Sequence, residues 1–135
     1  MLSKKTISRL RKIEKFILKE PKRFNMREGL VLSENAVDQL EQPPCGTACC
    51  IAGAAYIIGN DFKNLNNISR EWTQVGSYAT GYLDFRDYRT RDRLLHANEW
   101  PEFYKTSYIH SKTAAERAFI GAARIEHFIA TNGVE

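Results

Sequence analysis

The twenty-one residues TAAERAFIGAARIEHFIATNG (113–133) decide the fold class. Thr113 and Glu116 have the spacing of a capping box, in which each side chain accepts from an orphan backbone N–H at a helix start. Ala115, Ala118, Ala122, Ile125 and Ile129 then run down one side, with Phe119 and Phe128 beside them. That recurrence is the helical period, and Asn132-Gly133 is a natural stop. The spacing predicts a C-terminal helix over 113–132.

Working outward, the most apolar stretch is Thr47 to Ile58. It is apolar all round, so it reads as a buried central helix over 45–59, entered from Pro43-Pro44 and closed at Gly59-Asn60. At the other end, Ser3 suits an N-cap. Ile7, Leu10, Ile13 and Ile17 follow at helical spacing, flanked by Phe16 and Leu18, until Pro21 ends the run. This predicts a basic amphipathic helix within 1–21. Between these elements, Ser69 is expected to cap a helix near 70–82, Asp84 one through 86–96, and Pro101 to start one or two turns through Tyr108. No strand alternation persists beyond a few residues. The expectation is all-α: a compact single domain spanning 1–135, a bundle of five or six helices around the buried central one.

The 43% apolar and 27% charged content suits such a globular core. No apolar run reaches the roughly 20 residues of a membrane span. The first nineteen residues are charged throughout, so no secretory leader and a cytoplasmic location are expected. The three cysteines, Cys45, Cys49 and Cys50, lie together in an odd-numbered cluster, which argues against a disulfide framework. There is no C-x2-C pair, and His96, His110 and His127 are distant in sequence, so no metal or other cofactor is expected.

Charge is unevenly spread. Residues 1–27 carry ten basic and two acidic side chains, whereas the other 108 carry ten basic and fourteen acidic ones. A basic helix thus sits on a mildly acidic body. Lys4, Lys5, Arg9, Arg11, Lys12, Lys15 and Lys19 form its cationic face, the candidate contact for an acidic protein partner or for phosphates. No helix-turn-helix, zinc finger or RNP-type aromatic signature accompanies it. Trp100, Phe103 and Tyr104 form an aromatic cluster around a Trp-Pro step, a candidate anchor for a corner of the fold or for a partner.

Cys45 is the candidate nucleophile. Pro43-Pro44-Cys45-Gly46-Thr47 places it where extended chain turns into a helix, a setting that favours thiolate and offers N–H donors to an oxyanion. His127 is the first candidate base, although a half-exposed helix histidine is the plainer reading of it. The stretch is faintly similar to the C-G-S-C-W neighbourhood of papain-type proteases. Thr47 stands in place of serine, and no downstream His/Asn pattern follows. A packing role for Cys45, with Thr47 capping the helix, is the commoner case.

Three pieces together carry a further resemblance: C-G-T-x-x-C-x-A-G at Cys45–Gly53, E-W-P at Glu99–Pro101, and R-I-x-H-F-I at Arg124–Ile129. Their order and spacing resemble a family of short, uncharacterised bacterial and phage-encoded proteins, over most of the chain from about Phe24. The resemblance implies one shared structural unit joining the Cys45–Gly53 turn to the last helix, with Cys45 near His127. It implies no activity or substrate. Of three functions, a small binding or regulatory module acting on another protein ranks first. A cysteine-dependent hydrolase or acyl transferase comes second, and a nucleic-acid binder acting through the basic helix third.

Overall fold

Ser3 starts the first helix: its hydroxyl accepts from the Thr6 amide at 3.0 Å, satisfying an orphan donor. The structure, a computed structural model, describes residues 1–26, 30–31, 48–60 and 72–135. Helix α1 spans Lys4–Lys19, and its buried residues are Thr6, Leu10, Ile13 and Ile17. That spacing keeps all four on one face. Pro21 cannot extend the helix and opens a 3-10 turn, Pro21–Arg23. Phe24 then plugs into the interior at 1% exposure, edge-on to the Tyr108 ring at 6.2 Å. The Tyr108 hydroxyl accepts from the Met26 amide at 2.7 Å and so pins the exit of this turn.

Two short strands, β1 (Leu30–Val31) and β2 (Ala48–Cys49), pair antiparallel. Helix α2 spans Ile51–Gly59, with Cys50 at its N-cap. The helix expected over 45–59 therefore begins later: the backbone of Ala48 and Cys49 is committed to the ladder. Residues 45–47 lie outside the described residues. Ile51 to Ala55 and Ile57 are buried, and each isoleucine so placed contributes about 1.5–3 kcal/mol. The alanines and Gly53 let α3 (Trp72–Tyr82) lie close against α2.

Val75, Ala79 and Leu83 form the inner edge of α3 and its exit, all fully buried. The last carbonyls of α3 are closed by α1. The Thr6 hydroxyl donates to the Leu83 carbonyl at 2.8 Å, and the Arg9 guanidinium donates to that of Tyr82. Asp84 does not cap the following helix as expected. It takes the left-handed conformation at φ 57, which Asp tolerates, and turns the chain. The cap is Asp87, whose carboxylate accepts from the Thr90 amide and hydroxyl, both at 2.8 Å. These bonds hold its carboxyl below the usual range.

Helix α4 (Tyr88–Leu95) ends on two side-chain donors. The Trp100 indole N–H donates to the Leu94 carbonyl, and Arg124 Nη2 to that of Arg93, both at 2.8 Å. Helix α5 (Glu102–Ile109) turns into α6 (Ala114–Ala130). Thr113 caps α6 as expected, accepting from Glu116 N at 3.1 Å. The Glu116 carboxylate closes the box one residue early, on the Lys112 amide at 2.7 Å.

α6 packs against α1 on one side and α5 on the other. Its buried residues are Ala118, Gly121, Ala122, Arg124, Ile125 and Phe128. Ala115 is exposed and Phe119 is 69% exposed, so the buried arc is rotated from the expected stripe. Arg124 is fully buried. Nη1 donates to the Glu135 carbonyl at 2.9 Å, and the guanidinium lies near the Tyr104 and Phe128 rings. Among the described residues its Nε has no partner, and burial pushes its pKa down to about 10 against the opposing charge of Glu135. The described helices form an all-α bundle, and none of them is long and apolar enough to cross a membrane.

Candidate functional site

The outward half of α1 is cationic because its inward half is fully used. With four residues buried, the helix must present Lys4, Ser8, Arg11, Lys12, Lys15 and Lys19 elsewhere. At 100° per residue these six fall within an arc of about 100°, and they extend over roughly 22 Å of helix. All are exposed. Lys4, Lys5, Lys12 and Lys19 form no ion pair with any described residue. Such a row is hydrated and repels itself, which an acidic ligand would relieve.

Two adjoining depressions give this face its shape. One, of about 450 Å³, is lined by Lys4, Ile7, Ser8, Arg11, Lys12 and Lys15. The other, of about 320 Å³, is lined by Lys12, Lys15, Lys19, Phe16 and Ile58. They share Lys12 and Lys15. The second has an apolar floor, where α1 and the end of α2 meet. Both floor residues are half-buried and pack on the core.

Glu14 is the acid within α1, and it is turned toward Glu126 of α6. Its carboxyl is pushed up to about 7, first by burial, then by the hydrogen bond to Glu126 and by that group's charge; Arg11 and Lys15 oppose the shift. Glu14 therefore holds its proton to higher pH than an ordinary glutamate, and it faces Glu126 rather than the lysines. Arg11 meets Glu126 at 3.5 Å, with both side chains about half exposed. A pair so open to solvent contributes little to stability.

Not every residue of the expected cationic set belongs to the face. Arg9 is half-buried, with its guanidinium 4.4 Å from the Tyr82 ring centroid and bonded to the Tyr82 carbonyl. It clamps α3 to α1 and is not free for a partner. The aromatic cluster also divides. Trp100 is 3% exposed and is a true anchor, edge-on to Tyr108 at 5.7 Å. Phe103 is 74% exposed and anchors nothing in the core. Tyr104 is half-buried, with its ring 5.2 Å from that of His127.

Cys45, the candidate nucleophile, lies outside the described residues. The helix start assigned to it is occupied by Cys50, which is 2% exposed. Burial raises the Cys50 thiol pKa despite nearby backbone donors. A thiol so placed is a packing group. His127, the candidate base, is half-buried on α6, and its Nε2 lies 3.1 Å from Glu135 Oε2. His96 and His110 sit against Asp92 and the Thr106 carbonyl respectively. Among the described residues no three His, Cys, Asp or Glu side chains gather closely enough to hold a metal.

Reading the sequence alone passes over Ile58, Phe16 and Glu126 as contributors to this face. Phe16 is visible as a residue flanking the α1 stripe. Ile58 and Glu126 become neighbours of α1 only through tertiary packing, and nothing local marks them. No family model, no curated protein and no solved structure matches this chain.

Proposed function

We propose that this chain is a non-catalytic binding module that docks onto another protein through the outward cationic face of α1. The observation that carries this reading is the row Lys4, Arg11, Lys12, Lys15 and Lys19, exposed along one face of a helix whose opposite face is locked into the core. A rigid helix holds the charges at fixed spacing, so a complementary acidic surface meets them without ordering a loop. An apolar floor beside the lysines favours protein over nucleic acid, since phosphate backbones reward charge alone.

The test compares ligands of equal charge. A fluorescent poly-glutamate peptide and a single-stranded oligonucleotide are titrated against the protein and against a Lys12→Glu/Lys15→Glu/Lys19→Glu variant. Binding of the acidic peptide that is lost in the variant supports the reading. Tighter binding of the oligonucleotide, with a steep salt dependence, replaces it by nucleic-acid recognition. Binding of neither ligand removes it.

A further inference from the structure

We infer that the depression between α1 and the end of α2 seats an acidic amphipathic helix, with apolar side chains on Phe16 and Ile58 and carboxylates at Lys12, Lys15 and Lys19. This deepens the docking reading above and rests on it. The chemistry of the surface argues for both halves of the ligand. Its floor is apolar and half-buried, while its rim carries three ammonium groups and, among the described residues, no acid. A purely acidic coil satisfies the rim and leaves the floor wet. A neutral apolar segment covers the floor and gains nothing from the rim.

The spacing argues for a helix. Lys12, Lys15 and Lys19 stand at i, i+3 and i+7, about 10 Å from first to last along the axis. A partner helix lying along α1 repeats its own side chains at that same interval. Its acids therefore meet all three lysines from one flank while residues on the next arc face the floor. An extended strand places alternate side chains on opposite faces and falls out of step. Lys12 and Lys15 also line the neighbouring cationic depression, so acids beyond the apolar anchors continue toward Lys4 and Arg11.

The experiment uses the full chain and three synthetic peptides of equal net charge: a Glu/Leu peptide with leucines at helical spacing, the same composition scrambled, and poly-glutamate. Fluorescence anisotropy is expected to give the patterned peptide about a tenfold advantage over the scrambled one, the worth of roughly 1.4 kcal/mol. Ile58→Thr, which keeps the branched shape, is expected to bring the patterned peptide down to the affinity of the scrambled one. Ile58→Ala serves as a second variant, and thermal melts show that each is folded. Equal binding of all three peptides overturns the inference and leaves the cationic docking face standing. Binding of none overturns both. A retained advantage in folded Ile58→Thr and Ile58→Ala places the anchor elsewhere and also overturns the inference.

Discussion

Gly121 is where α6 comes closest to the entry of the chain into the core, and replacing it tests that packing directly. A Cβ built there falls 2.5 Å from Cε2 and Cζ of Phe24 and 3.3 Å from Cδ1 of Ile17. Phe24 has no free end to swing away: its ring is 1% exposed and lies edge-on to Tyr108. The added methyl must push α6 off the Pro21–Phe24 corner or tilt the ring. Overpacking of this kind costs about 1–3 kcal/mol. Against it stands the gain of about 1 kcal/mol from replacing glycine within a helix. Gly121→Ala is thus expected to destabilise by about 1 kcal/mol. Gly81 of α3 is the internal control, since a Cβ there meets nothing within 4 Å. Gly81→Ala is expected to stabilise by about 0.5 kcal/mol, less than the mid-helix value because it sits in the last turn. Urea and thermal denaturation followed by far-UV circular dichroism read both. For a chain of this size the pair should differ in Tm by about 6 °C. A Gly121→Ala protein as stable as the parent would refute the contact between α6 and Phe24.

The remaining expectations concern charges and thiols. Glu14 has a carboxyl raised to about 7, above its unfolded value of 4.5, so its stabilising contribution is complete below about pH 4.5 and disappears as pH rises through 7. Because the pair opens to solvent on one side, the loss between pH 5 and pH 8 is on the order of 1 kcal/mol. Glu14→Gln should flatten that slope in urea titrations; an unchanged slope would assign it to another group. Arg124→Ala removes donors from the Arg93 and Glu135 carbonyls and opens a cavity, for a loss of about 3 kcal/mol, whereas Arg124→Met fills the volume and loses less. Equal melting of the two variants would mean that the bonds alone matter. Cys50 should resist alkylation in the native protein from pH 5 to pH 9 and react on unfolding. Rapid labelling of native Cys50 would contradict its burial, and rapid labelling of Cys45 at low pH would instead revive the cysteine-enzyme reading.

Local signals carried much of the helical scaffold. Ser3, Pro21 and Thr113 act through neighbours a few residues away, so the limits of α1 and the start of α6 are legible in the sequence. Choosing between Asp84 and Asp87 as a cap is harder, because either aspartate precedes a helical run. The choice rests on Thr90, whose amide and hydroxyl both reach Asp87. Hydrophobicity misleads on α6: it favours burial of Phe119, yet the helix crossing there needs the small Gly121 and turns Phe119 outward. Arg124 runs against the same rule, being buried by carbonyls that only the folded chain assembles. Of the candidate docking face, the lysines are legible as a periodic stripe. Its apolar floor is not, because Phe16 and Ile58 are brought together by the crossing of α1 and α2.

The carbonyl ligands of Arg124 have a consequence for how the molecule breathes. One guanidinium holds the last turn of α4 and the Glu135 carbonyl, while Arg93 of α4 reaches the Gly133 carbonyl at 3.2 Å. The end of the chain cannot fray without releasing a buried cation from its dipoles, and α4 cannot detach without doing the same. These segments therefore open as one cooperative unit, and their amides should exchange with solvent deuterium at a common rate, slower than the outer turns of α5.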